Sequence, residues 1–183
     1  MSDAADDFEC ATTPEAGFVN ATSTGWQATV MGRSSDDVHA GSAVRVVNGD
    51  ELAGGLNSSS GQSFVGLGAG LDPADGSEHN STAAVSLERR IFGLEAGQIY
   101  VLSFVAACRP GYNASAVLEV FTDELLLGAA SLSAAGFEPY RHTFTAASAS
   151  TTIRFSNGVE NTTAFLDAVD VIAGVYVLLL FLS

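Results

Sequence analysis

Residues 98–107, QIYVLSFVAA, constrain the fold more than any other stretch of this chain. Ile99, Val101 and Val105 share one parity, and Tyr100, Leu102, Phe104 and Ala106 the other, so both faces are apolar. A run of ten residues, rich in β-branched and aromatic side chains, suits a strand buried on both sides. The preceding stretch, 83–92, alternates instead: Val85, Leu87 and Ile91 stand against Ser86, Glu88 and Arg90, which predicts one dry and one wet face. A turn at 94–97 is expected to join the two as a hairpin. A doubly buried strand beside a half-wet one implies two packed sheets, with this hairpin at their centre.

The rest of the chain repeats the pattern on a shorter scale. Strands are expected over 15–20, 27–31, 43–47, 62–67, 115–122, 125–130, 137–146, 151–156 and 164–172, separated by polar segments rich in Gly, Asn, Asp and Ser. Nine to eleven strands at roughly ten-residue spacing, with no helical period and no repeat, predict an all-β fold, an antiparallel two-sheet sandwich. At 183 residues, 47% of them apolar and 15% charged, the chain can bury a substantial single core. Residues 1–14 read as an N-terminal extension, 15–173 as the domain and 174–183 as an apolar tail.

Charge narrows the partners. A net charge of −14, with seven arginines and no lysine, lacks the clustered basic residues that phosphate contacts need, so nucleic acid is not an expected partner. Five N-x-S/T sequons, at Asn20, Asn57, Asn80, Asn113 and Asn161, all fall in expected turns or loops, where glycans can be carried. They point to an extracellular or cell-surface glycoprotein. That setting favours a disulfide between the two cysteines, Cys10 and Cys108, with two free thiols as the alternative. Residues 1–9 have no basic or apolar region and do not read as a signal peptide, so a fragment of a longer precursor or a mis-assigned start is expected. The apolar run 171–182 is shorter than the roughly twenty residues of a membrane span. It reads as a truncated anchor, the tail of a lipid-anchor signal, or an extension of the last strand. Any membrane contact would run through it.

The order Gly-Phe, Gly-Trp, SFVGLG, SLERRIFGLEAGQIYVLSF, YRHTFTAASASTTIRFSN and AFLDAVDV, from Gly17 to Ala173, resembles the galactose-binding-like jelly rolls. That superfamily includes many carbohydrate-binding modules and cell-wall proteins. The resemblance implies an antiparallel jelly roll of eight or nine strands and a non-catalytic binding role. It also raises a structural calcium, since many such modules hold one between an acidic residue after the first Gly-Phe and an Asp in the last strand. Asp167 matches the second position. Val19 stands at the first and offers only a backbone carbonyl, a poor substitute where calcium wants six to eight oxygens. The other reading of Asp167 is a carboxylate that caps backbone N–H groups at a sheet edge.

Catalytic chemistry finds little footing. His39, His79 and His142 have no metal-ligand spacing, and no nucleophile elbow, phosphate loop or CxxC occurs. Of the paired acids Asp36/Asp37, Asp123/Glu124 and Asp167/Asp170, adjacent acids on a loop read as solvated rather than catalytic, and the chain reads as a non-enzyme. His142 and Trp26 read as core residues. For a glycan ligand the expected contacts are Arg141 and Arg154, on the wet parity of two strands expected to pair around 147–150, with Thr143 opposite Arg154. Such a pair of guanidiniums on one face suits an acidic sugar. Arg109 and Tyr112 are expected at a loop rim. The expected function is binding of a cell-wall or matrix polysaccharide. A structural or adhesive glycosylated surface domain is the competing reading.

Overall fold

The computed structural model describes residues 25–31, 44–48, 56, 63–68, 84–110, 116–157 and 162–174. They form ten strands: β1 (Gln27–Met31), β2 (Val44–Asn48), β3 (Ser63–Gly68), β4 (Ala84–Phe92), β5 (Ile99–Cys108), β6 (Val117–Thr122), β7 (Leu125–Ser131), β8 (Glu138–Thr145), β9 (Ser150–Asn157) and β10 (Thr163–Ala173). Each lies within a residue or two of a segment that alternation marks as strand. The strand expected over 15–20 lies outside the described residues. No helix among the described residues is long and apolar enough to cross a membrane.

Two five-stranded antiparallel sheets face each other. Sheet I runs β1-β4-β9-β6-β7 and sheet II runs β2-β3-β10-β5-β8. Only β2–β3 and β6–β7 are consecutive strands paired within a sheet; every other connection crosses between sheets. This interleaving is a jelly roll. Between the sheets lies one apolar core, built from inward parities: Val85 and Leu87 of β4, Ile153 and Phe155 of β9, Leu118 and Val120 of β6, against Leu102, Phe104 and Ala106 of β5 and Val65 and Leu67 of β3. Trp26 is buried beside Phe155, with ring centroids 5.9 Å apart.

The crossings overturn two expected hairpins. β4 and β5 do not pair; β4 lies between β1 and β9, while β5 lies between β10 and β8. Likewise β8 pairs with β5, and β9 pairs with β4 and β6, so the 147–150 turn is an arch between sheets. The expected opposition of Thr143 and Arg154 is therefore not made: Thr143 pairs with Val101, and Arg154 with Glu88 and Phe121. The two arches bind each other. Leu94 N–H donates to Ala149 O (3.1 Å), Gly97 N–H to Ala146 O (2.8 Å) and Ala146 N–H to Gln98 O (3.0 Å). Each arch thus satisfies the other's backbone, leaving both chains free to send an apolar parity into the same core from opposite sides.

β5 is buried on both faces only at its C-terminal end. Ala107 joins Phe64 and Phe165 in a second cluster on the outer side of sheet II, capped by Leu56 and Phe137. From Ile99 to Val105 its outward residues are half-buried. Beyond that end, buried Asn157 of β9 reaches β3 and the residue before β10, its Nδ2 donating to Leu67 O (3.0 Å) and Thr162 O (2.9 Å).

Candidate functional site

Antiparallel register aligns the outward residues of sheet II into rows. The middle row is Asp170 on β10, Ser103 on β5 and Arg141 on β8. On one side lie Ile172, Val101 and Thr143, and on the other Asp167, Val105 and Pro139. Two inter-strand spacings separate the ends of each row, about 10 Å of backbone. Ser103 is the small polar step in an otherwise apolar parity of β5, so the middle row has a low centre between a carboxylate and a guanidinium.

A bulge makes this row possible. Asp167 pairs with Val105 and Asp170 with Ser103, so β10 fits one extra residue into the interval. Ala168, at φ 50°, is where the chain turns, and Asp167 Oδ1 accepts its N–H at 2.7 Å. A spacing of three would put the two aspartates on opposite faces of a regular strand; the bulge brings them to the same one.

The face is roofed at one end and open at the other. Phe64 meets Phe165 edge-on at 5.0 Å and Phe137 at 5.2 Å, a wall beside Asp167. Asp167 is fully buried. Away from the wall, Arg141 and Thr143 are exposed, Val101 and Ser103 are half-buried and Ile172 is 45% exposed. Among the described residues, Asp170 Oδ1 is buried and has no hydrogen-bond partner. A buried carboxylate oxygen of this kind is costly until a donor reaches it. The open half offers the half-buried Asp170 carboxylate, a hydroxyl, a cationic donor and apolar ground for sugar C–H surfaces.

The outer face of sheet I differs. Its row Glu88–Arg154–Phe121–Leu126 includes a guanidinium centred 4.1 Å from the Phe121 ring centre. Nearby, Arg90 lies over Phe92 at 5.4 Å and donates to Ser150 Oγ at 3.0 Å. Both surface phenyl rings carry an arginine, so neither is a bare platform for a sugar, and both guanidiniums are engaged.

The expected site residues are thus dispersed. Arg141 lies on the outer face of sheet II and Arg154 on that of sheet I, so one acidic sugar cannot take both. Arg109 is half-buried just past β5, where its N–H donates to Thr163 O at 3.1 Å. Tyr112 lies outside the described residues, as do Cys10, His39, His79 and all five sequon asparagines. Cys108 is a free, buried thiol packed in the core as a small apolar side chain. Among the described residues no three His, Cys, Asp or Glu side chains gather as a metal site, and Asp167 spends one oxygen on the bulge. The described residues alone do not assemble a calcium shell around it. Ser103 and Asp170 are the site residues that sequence reasoning missed. The one signal was a serine on the outward parity of an apolar strand.

No protein-family description and no curated protein sequence matches the chain. Solved structures do. The CBM22-1 xylan-binding domain of Xyn10C from Paenibacillus barcinonensis superposes with a TM-score of 0.57 at 12% identity, over 94% of this chain and 95% of that one. The carbohydrate-binding module TmCBM61, solved with β-1,4-galactotriose, gives 0.51 at 14% identity, over 90% and 99%. A Stig cyclase, Fisc from Fischerella sp. TAU, gives 0.61 at 13% identity, over 95% and 98%. The chain has the jelly-roll fold of carbohydrate-binding modules. The cyclase shows that the same fold also serves an enzyme, so fold alone does not assign the activity.

Proposed function

We propose that this chain is a non-catalytic carbohydrate-binding module of a secreted or surface protein, and that its ligand lies on the open outer face of sheet II. The observation that carries this reading is the row Asp170–Ser103–Arg141, in which a half-buried aspartate and an exposed guanidinium flank a serine hydroxyl on one face. Sugar hydroxyls both donate and accept, so one ring can give a proton to Asp170 and receive one from Arg141. Ile172 and Val101 would underlie the C–H surface. The carboxylate sets the charge preference: a uronate would bring a second anion to Asp170 in a chain of net charge −14, so a neutral polysaccharide fits better than an acidic one. The fold shared with a xylan-binding domain and with a module that binds β-1,4-galactotriose supports the ligand class. The five sequons support the extracellular setting.

Affinity electrophoresis and calorimetry against xylan, galactan and polygalacturonate test it. We expect a neutral polysaccharide to bind and polygalacturonate not to. Arg141→Ala and Asp170→Ala should each lower affinity by about tenfold or more, the worth of one charge-assisted hydrogen bond. Arg154→Ala, on the other sheet, should leave it unchanged. Binding lost with Arg154 and kept without Arg141 and Asp170 would move the site to sheet I. Binding to none of the three would favour a structural role.

A further inference from the structure

The edge strands β7 and β8 meet along one side of the sandwich, and His142 fills the seam. β8 turns Tyr140, His142 and Phe144 inward. The imidazole stacks on Phe104 with centroids 5.9 Å apart and 16° between planes. From β7, the Gly128 backbone lies so close that a Cβ there would stand 2.7 Å from the His142 Cε1 and 3.0 Å from Nδ1. The two sheets therefore touch here through a glycine and one ring. Tyr140 adds a second tie, its hydroxyl donating to Ser131 O at 3.0 Å.

Among the described residues, His142 Nε2 is buried and has no hydrogen-bond partner. A neutral imidazole tolerates this, because its unprotonated nitrogen only forgoes accepting a bond. An imidazolium carries N–H on both nitrogens, which would leave a buried donor with no acceptor beside a new charge. The described residues around it offer no compensation. β5 contributes Leu102 and Phe104, and β7 contributes Gly128 between Leu127 and Ala129. β8 itself contributes Tyr140 and Phe144 on the same face, Arg141 on the opposite face, and the exposed Glu138 at its start. Burial, then the charges of Glu138 and Cys108, push the Tyr140 phenol up, so it stays neutral. Burial likewise holds His142 below the ordinary histidine range.

We propose that the β7–β8 seam is an acid-sensitive latch, closed while His142 is neutral and opened when the ring takes up a proton. The sign follows from linkage. A ring whose closed-state pKa is depressed contributes its full stability above the open-state value of 6.5, and loses it as pH falls toward the closed-state value. Arg141 is the adjacent residue on β8, so an open seam also displaces one end of the glycan row; this consequence rests on the function proposed above.

The chain has three histidines, so the His39→Gln/His79→Gln protein leaves His142 as its only imidazole for NMR titration. We expect its midpoint below 6.5, and protection of the Leu127–Ala129 and Arg141–Thr143 amides from exchange to be flat above 6.5. Below 6.5 that protection should fall by up to tenfold per pH unit, the limit for one coupled proton. Adding His142→Gln should remove the pH response. A midpoint near 6.5 with unmoved seam amides overturns the proposal, and so does an equal response in the Gln variant. Xylan or galactan affinity over the same pH range reads the second consequence separately. A latch that titrates without changing affinity leaves the latch in place and removes Arg141 from the ligand site.

Discussion

Asp123 shows how much one side chain can settle. It opens the two-residue β6–β7 turn at φ 50°, a region that Asp and Asn tolerate better than other side chains. One carboxylate oxygen accepts the Thr151 hydroxyl at 2.8 Å and the other accepts Thr152 N–H at 2.9 Å, which anchors the hairpin tip to β9. Asp123→Ala removes both acceptors and puts alanine in a strained conformation, so it should cost about 2–4 kcal/mol in urea unfolding. Asp123→Asn keeps the turn and one acceptor and should cost about half as much. Equal losses in the two variants would show that neither the turn conformation nor the acceptor kept by asparagine contributes, only the bond that both variants lose. This turn was legible, because Asp-Glu interrupts two apolar alternations. His142 was legible as an inward residue from its parity, and Trp26 as a core residue from its place after Gly25 at the start of an early strand. The orphaned oxygen of Asp170 was not, since its partnerless state depends on which strands flank it.

Strand positions were legible in nearly every case because a period of two is a local property, read within five residues. Strand partners were not. An arch and a hairpin can have the same turn residues, and the choice at 93–98 and 146–149 is made by bonds between the arches, about fifty residues apart in sequence. This is why Arg141 and Arg154, on like parities of consecutive strands, end on opposite sides of the molecule. The bulge in β10 is a second hidden feature. Ala168 sits at φ 50°, where a Cβ costs about 1 kcal/mol, and sequence gives no warning of it. Ala168→Gly should therefore be neutral or stabilising by up to about 1 kcal/mol, against the usual penalty for glycine in a strand. Ala168→Val should cost about 2 kcal/mol and, on the proposed function, weaken glycan binding, because Asp167 and Asp170 need the bulge to share a face. A destabilising glycine would mean the bulge is held by something other than backbone need.

At the scale of the whole molecule, the chain crosses from one sheet to the other at seven of its nine connections, so neither sheet is a continuous piece of sequence. Neither can form without most of the other, and the contacts are long-range, which predicts slow folding, in the millisecond-to-second range, in one cooperative step. Phe104 is the joint. From sheet II it stacks with Tyr140 at 5.5 Å, and it meets Phe155 of sheet I edge-on at 5.1 Å. The chain supplies a reporter for each side: its single tryptophan, Trp26, packs on Phe155, while Tyr100 and Tyr140 belong to sheet II. Tryptophan fluorescence and tyrosine near-ultraviolet dichroism should therefore follow coincident urea transitions. Phe104→Leu removes ring contacts to both sheets and should lower both midpoints together, by about 1–2 kcal/mol of stability. Were the fluorescence and dichroism transitions to separate, in the wild type or in the variant, the sheets would be distinct folding units despite their shared core, and the crossings would set topology without setting cooperativity.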